Sequence, residues 1–554
     1  MYGFSFIIGG HLADPDIRYD NMSCKNNFIE KFEKDKIFYQ DEDYIIILDG
    51  VILNKSQLQQ NNLWVDTVIS LYEKEGDTFF EFFRGVFAGA LLNKKLNRWI
   101  IFSDQLGQKF IYYSTIGDIF ICSSMITEIY SLYHQNNIKP ELDTNGISFL
   151  LSYGFMLDNY TLCKSIKKIR PGNYLIYQNG NLEEKEYYRI NNSPNYQISY
   201  NDAIDKIDKL FRLAVKTQFS KDEEYGYKHI CALSGGLDCR MTSYVAHDLG
   251  YKRQLNVTFS ESDYWDHIIP QKMAIDWKHD WLYKPLDNGM WLYDVEEISK
   301  TTGGNVLYYG TAHSNSLYKY TNFKELGMLH SGQMGDVVIG SHMKKYDEPY
   351  IYGEGAYSKQ FLNNSIKLPH FENKEIGLWY CRYLNGTNNG IQNTYNYTET
   401  CSPFLDINFL SFCLSLPVDF RFGHKIYKDW IIKKYPAAAE YVWETTGAKI
   451  DEKMIKLRGH NIPKKHFFNY TYNYFKYRFG FQKKKYSMQQ IGEYLKTNVE
   501  LFEFLKGYLQ YVTDLKDENL VKSVINLWDN GTVYEKIQVI SLLAAVKMYF
   551  RELS

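Results

Sequence analysis

Over residues 1 to about 190 the apolar positions fall in short runs broken by Gly, Asn and Asp: "YIIILDGVIL", "RWIIFSD", "KFIYYSTIGDIFICSS" and "GNYLIYQNGNLEEKEYY". Short runs rich in Ile, Tyr and Phe and bounded by turn residues predict strands. Two of them predict hairpins, "IYYSTIGDIFICSS" and "NYLIYQNGNLEEKEYY", the latter around Asn179 and Gly180. One helix stands out, "WVDTVISLYEKEG", where Val65, Val68, Ile69 and Tyr72 recur at helical spacing. The opening "MYGFSFIIGGHLADPD" has neither a basic n-region nor a small-residue cleavage site, so a buried first strand is expected rather than a signal peptide. The first part of the chain therefore reads as an α+β domain, and the polar stretch "RINNSPNYQISYND" as the linker that ends it.

From Ala203 the pattern becomes helix, strand, loop, helix, strand: "AIDKIDKLFRLAVKTQF", "KHICALSGG", "DCRMTSYVAHDLG", "QLNVTF". Such alternation predicts a parallel sheet covered on both faces. From about Phe404 to Ser554 the pattern is mostly helical and carries no repeat. A chain of 554 residues exceeds one ordinary core. The expected division is 1–195 and 203–554.

Composition adds exclusions. With 45% hydrophobic residues and a formal net charge of -2, nothing draws the chain to nucleic acid or an anionic membrane. Its apolar runs fall short of the roughly 18 to 20 residues that span a bilayer, so no transmembrane helix and a cytoplasmic location are expected. The eight cysteines form no CxxC pair, which fits buried reduced thiols rather than disulfides or a zinc site.

The chemistry centres on Ser234-Gly235-Gly236-Leu237-Asp238-Cys239, where the strand "HICAL" gives way to a helix. Free amide N–H groups and the positive end of a helix dipole converge at such a junction and attract phosphate. The two glycines remove Cβ atoms that would block its approach, and Ser234 adds a hydroxyl donor. Asp238 would repel a bare phosphate and makes sense when Mg²⁺ lies between them. Taken alone, the segment reads equally well as a Gly-rich turn with an Asp at the helix start. A second segment, "MLHSGQMGDVVIGSH", again sets small residues and one acid, Asp336, after an apolar run. Two such loops at the C-terminal edge of one sheet can share a magnesium pyrophosphate.

With a third segment, "TETCSPFLDINFLSF", the chain resembles the glutamine-dependent asparagine synthetase B superfamily, which includes β-lactam synthetases and lasso-peptide cyclases. Ser234 to Cys239 match its SGGLDS loop, Ser331 to Val337 its SGEGxDE loop, and Glu399 to Asp406 its EARxPFLD segment. "FFRGVFAGALLNKKLNRWIIFSDQLGQKFIYY" and "LDGVILN" are similar to its class II amidotransferase motifs. The resemblance implies an Ntn-hydrolase-like α+β domain followed by an α/β ATP pyrophosphatase domain with a helical C-terminal part. It implies ATP and Mg²⁺ as cofactors, with Leu233, Ser234, Gly235, Gly236, Leu237, Asp238, Cys239, Ser331 and Gly332 at the nucleotide and Asp238 and Asp336 on the metal. It also implies adenylation of a carboxylate and attack by an amine to give an amide.

The sequence departs from that family in places. Relatives carry Cys after the initiator Met because one residue then supplies both amine and thiol; here the position is Tyr2. The Arg-Gly-Pro-Asp motif is absent, and "NGEIYN" has become Asp49-Gly50-Val51. The first domain is expected to be an inactive glutaminase that shields the second. Cys239 replaces a Ser, Cys401 an Arg, and Gln333 an acid; an amide positions a group and does not act as a base. Lys449 in "WETTGAKIDEK" is the candidate for the transition-state lysine of relatives.

The leading expectation is an ATP-dependent carboxylate–amine ligase without glutamine hydrolysis of its own, acting on a small-molecule, sugar or peptide carboxylate and an amine donor, with a homodimer as the candidate assembly. The alternatives are an intramolecular cyclase and a non-catalytic member of the same fold. A sulfur-transfer or tRNA-modifying enzyme would want a basic surface and a paired thiol, and the sequence shows neither.

Overall fold

The computed structural model describes residues 2–59, 62–363, 365–457, 460–463 and 487–551. Two six-stranded antiparallel sheets build the first part. One runs in the order Ile166–Lys168, Tyr112–Ile116, Ile119–Ser123, Gly3–Ile8, Met22–Asn27, Ile17–Tyr19. The other runs Asn181–Glu186, Asn173–Gln178, Arg98–Ser103, Gly85–Asn93, Tyr44–Ile52, Ile37–Gln40. The strand "YIIILDGVI" is buried from Ile45 to Ile52 because both its faces are covered, and Asp49 is its one charged residue. Ile45 and Ile47 meet Phe4, Phe6 and Phe120 of the facing sheet. Ile46 and Leu48 point the other way, against Val68 and Tyr72 of the helix Trp64–Glu75. The helix Ile126–Gln135 covers the outer face of the first sheet through Ile129 and Tyr133. The result is a helix–sheet–sheet–helix sandwich.

Both expected hairpins form, Tyr112–Ile116 with Ile119–Ser123 and Asn173–Gln178 with Asn181–Glu186. In the second, Asn179 and Gly180 take φ of 52° and 80°, the positive values a two-residue turn requires. Cys24 lies in a strand paired with Gly3–Ile8, and burial pushes its thiol up, away from reactivity.

The second part is a five-stranded parallel sheet of β1 (Lys228–Ala232), β2 (Gln254–Ser260), β3 (Asp280–Pro285), β4 (Leu326–His330) and β5 (Thr400–Cys401), in the order β3-β2-β1-β4-β5. Helices Tyr200–Glu224 and Leu237–Asp248 cover one face through Phe211, Phe219, Met241 and Val245. Leu317 and Tyr318 of the helix Tyr309–Tyr318 cover the other, against Ile230 and Val257. The helix expected from Ala203 begins at Tyr200, because the Ser199 side chain accepts from the Asp202 N–H and caps it there. Beyond Phe404 the described residues are largely helical, interrupted by a hairpin of Met454–Leu457 and His460–Pro463. The part of that expectation covering 464–486 lies outside the described residues. Among the described residues no helix is long and apolar enough to cross a membrane.

Buried polar groups join the two parts. The Lys31 ammonium donates to the carbonyls of Phe323, Lys324 and Leu326 at 2.6 to 2.8 Å. Lys221 and Tyr225 both donate to Asp35 Oδ1, at 2.9 and 2.7 Å. Lys36 and Lys109 each contact both Asp49 and Glu399, at 2.6 to 3.2 Å, and all four side chains are buried.

Candidate active site

The chain runs outward from β1 to β2 and β3, then returns to place β4 on the opposite side of β1. The strand order therefore reverses between β1 and β4, and in open α/β sheets ligands bind in the crevice beyond the carboxyl ends at such a point. The two glycine-bearing segments leave the sheet there, Ser234 to Cys239 after β1 and Ser331 to Asp336 after β4. Asp222, from the helix Tyr200–Glu224, ties the two strands together below them. Its Oδ2 meets His229 Nδ1 of β1 at 3.0 Å and His330 Nε2 of β4 at 2.7 Å.

The loops also touch directly. A Cβ on Gly332 would stand 2.2 Å from the Cys239 nitrogen and one on Gly335 2.6 Å from Asp238 Cγ, so only glycine lets the second loop press onto the first helical turn. The Thr242 hydroxyl donates to the Ser331 carbonyl at 3.2 Å, and the Ser331 N–H to the Cys401 carbonyl at 2.9 Å. The Asp238 carboxylate bridges the two loops, its Oδ2 accepting from the Asp336 N–H at 3.1 Å while its Oδ1 accepts from the Tyr427 hydroxyl at 2.8 Å. Burial, and then the Asp336 charge, push Asp238 up to about 8 against the pull of these hydrogen bonds. The Asp336 carboxylate lies close enough to raise Asp238 electrostatically, and two carboxylates so placed offer hard oxygen donors of the kind that suits a divalent cation such as Mg²⁺. The N-cap residue Gly236 carries no side-chain cap, which leaves the first N–H groups of the helix Leu237–Asp248 for a ligand.

Not every expected donor is open. The Gly235 N–H donates to Asp266 Oδ1 at 2.7 Å, and its carbonyl accepts from Arg240 Nη2 at 3.0 Å and from the Glu444 N–H at 3.1 Å. Burial, and then Glu444, raise Asp266 to about 6. Arg240 is fully buried and also holds the carbonyls of Ala438, Tyr441 and Val442, so it fastens the 438–444 segment to the loop. Leu233 packs against Ile269, Met273 and Trp277. Burial pushes the Cys239 thiol up to about 11, keeping it protonated at neutral pH. Lys449 contacts Glu440, with Asp451 and Glu452 as its further charged neighbours, and none of its contacts is to Asp238 or Asp336.

Asp266, Arg240, Tyr427 and Glu444 escaped the sequence reading. Arg240 alone had a local cue, one residue past the loop. The other three come from distant segments.

Gln333 Nε2 donates to the Thr387 carbonyl at 3.0 Å, which holds the side-chain amide, while the Gln333 main-chain carbonyl accepts from Ser402 Oγ at 2.9 Å. For the reaction that the resemblance implies, Gln333→Ala should therefore cost about 0.5 to 1.5 kcal/mol, the worth of one hydrogen bond, in amide formation from pre-formed acyl-adenylate. It should remove no ionisation from the pH–rate profile between about pH 6 and 9. A loss of four orders of magnitude at every pH would mean that Gln333 takes part in the chemistry.

At the other end of the chain, Tyr2 lines a cavity of about 40 Å³ with Asp49, Lys109, Ser124 and Gln392. Asp49 is engaged by Lys36 and Lys109. Asp104, of the "SDQLG" segment, accepts from the N–H groups of Leu106, Gln108 and Lys109 and so shapes its own turn. Tyr2 thus stands beside Asp49, whose carboxylate is held by Lys36 and Lys109.

Residues 33–188 match the family described as a glutamine amidotransferase domain. Over 433 residues, 73% of its length, the chain is 27% identical to the "Putative asparagine synthetase [glutamine-hydrolyzing] 2" of Methanocaldococcus jannaschii and covers 77% of that protein. It is 26% identical over 282 residues to the "Asparagine synthetase [glutamine-hydrolyzing] 3" of Bacillus subtilis, which covers 48% of this chain and 42% of that one. Against the "Asparagine synthetase B [glutamine-hydrolyzing]" of Escherichia coli it is 22% identical, with 42% and 37% covered. The chain thus spans less than half the length of the Bacillus and Escherichia relatives. The amidotransferase-domain match and the similarity to these asparagine synthetases together support an asparagine synthetase B-like superfamily member.

Proposed function

We propose that the protein is an ATP-dependent carboxylate–amine ligase, divided into an amidotransferase-like domain at 1–195 and a ligase domain at 203–554. A substrate carboxylate oxygen attacks the α-phosphorus of ATP, and the bond to pyrophosphate breaks. An amine nitrogen then attacks the acyl carbon, and AMP leaves with the carbon–oxygen bond electrons. The observation that carries this reading is the meeting of Asp238 and Asp336 at the switch point, above an uncapped helix N-terminus. That N-terminus orients the departing phosphates through its N–H groups. Asp238 and Asp336 would hold Mg²⁺, which when bound supplies positive charge against the pyrophosphate.

Tyr2 supports a reaction in which the amine does not come from glutamine hydrolysed by this chain. Intramolecular ring closure would use the same two bond changes. A non-catalytic relative is favoured by one observation, the occupation of the Gly235 N–H by Asp266.

The test is a panel of amino-acid, uronic-acid and peptide carboxylates, each assayed for carboxylate-dependent ATP–pyrophosphate exchange and for AMP release with added amines. Glutamine is included, with glutamate release as the readout. At least one carboxylate should support exchange, and glutamine should yield no glutamate with or without ATP. ATP binding without exchange across the panel would favour the non-catalytic reading. Glutamate release would overturn the assignment of the first domain.

A further inference from the structure

Tyr427 lies in the helix Lys425–Lys434, 189 residues from Asp238 in sequence, and is 1% exposed. Its ring packs against Phe404, with centroids 6.2 Å apart, and against Trp430 at 5.9 Å. Phe404 in turn lies against Gly335, on the second loop. The phenol is thus wedged with its hydroxyl aimed at Asp238 Oδ1, where it donates at 2.8 Å, while Asp238 Oδ2 is held by the Asp336 N–H. An ionised carboxylate has about four lone-pair sites on its two oxygens. One on each oxygen is committed, which fixes the rotation of the group and leaves the remaining lone pairs for a cation.

We infer that Tyr427 is a positioning residue for the metal site, holding the Asp238 carboxylate in the orientation that takes a divalent cation. The inference rests on reading Asp238 and Asp336 as metal ligands. Groups that orient a ligand by hydrogen bonding set how well it binds without touching the metal. Tyr427→Phe keeps the ring in its wedge and removes only the hydroxyl, so Asp238 gains rotational freedom.

The experiment titrates Mn²⁺ into the full chain with a non-hydrolysable α,β-methylene analogue of ATP, following bound metal by electron paramagnetic resonance. Half-saturation should move up about 10- to 100-fold in Tyr427→Phe, the usual cost of losing such a partner. Exchange at saturating Mg²⁺ should recover most of the native rate, and Asp238→Asn should abolish the site. Trp430→Phe, which loosens the same wedge but keeps the hydroxyl, should lower the melting temperature and leave half-saturation within about twofold, a contrast that a purely structural role for Tyr427 would not give. Native half-saturation in Tyr427→Phe, with Asp238→Asn abolishing the site, would overturn the inference and leave the metal reading standing. Native half-saturation in Asp238→Asn as well would remove both.

Discussion

Asp238→Asn and Asp336→Asn should each lower carboxylate-dependent ATP–pyrophosphate exchange by about two orders of magnitude or more, equivalent to roughly 2.7 kcal/mol of lost transition-state stabilisation. In the proposed reaction the charge on the departing pyrophosphate is large, and the loop amides alone would not balance it. The loss should not come from unfolding. A carboxyl whose pKa rises on folding, as that of Asp238 does to about 8, destabilises the fold at every pH above its unfolded value of about 3.9. Neutral Asn removes that penalty, so without metal the melting temperature of Asp238→Asn at pH 7 should equal or exceed the native one. Native exchange in either variant, with unchanged stability, would show that these carboxylates are not where the pyrophosphate is stabilised.

How far the sequence revealed this site depends on whether each feature is local. The strand-to-helix junctions carry their own signals, an apolar run followed by small residues and one acid, and both loops were legible. The hairpin turn at Asn179 and Gly180 was legible for the same reason, since the turn selects its residues. That the two loops meet is a property of strand order, which the crossover from β3 to β4 decides and no local pattern records. Tyr427 reads in sequence as one more aromatic residue on a core helix, and its hydroxyl acquires meaning only beside Asp238. Asp266 reads as an ordinary acid in the first turn of the helix Trp265–Trp277, yet it takes up a loop amide that the sequence assigned to phosphate. Asp49 was visible as a departure from the amidotransferase pattern, but not that it shares Lys36 and Lys109 with Glu399, because the chain brings these acids together from segments far apart in sequence.

That partnership gives the second large effect. Lys36, Asp49, Lys109 and Glu399 form a closed quartet of two positive and two negative side chains, with Glu399 1% exposed. Glu399→Gln leaves two buried ammonium groups facing a single carboxylate. Breaking a buried pair in this way should cost about 3 to 5 kcal/mol, read as a lower urea midpoint with unchanged slope. The exposed pair Lys228–Glu325 is the control, and Glu325→Gln should change nothing measurable. Adding Lys36→Met to Glu399→Gln restores the charge balance and should recover a large part of the loss, a coupling that a double-mutant cycle isolates. The pH dependence follows from the shifts. Burial would raise Asp49, but Lys109 and Lys36 outweigh it and hold it at about 2, so its contribution is complete above about pH 4 and is lost as the pH falls towards 2. Burial would lower Lys36, but Asp49 and Glu399 outweigh it and raise it, so its contribution is complete below about pH 10 and is lost as the pH rises through its raised value. The Glu399→Gln deficit should therefore be flat between those limits. A deficit under about 1 kcal/mol at pH 7, the scale of an exposed pair, would mean that the quartet does not hold the two parts of the chain together.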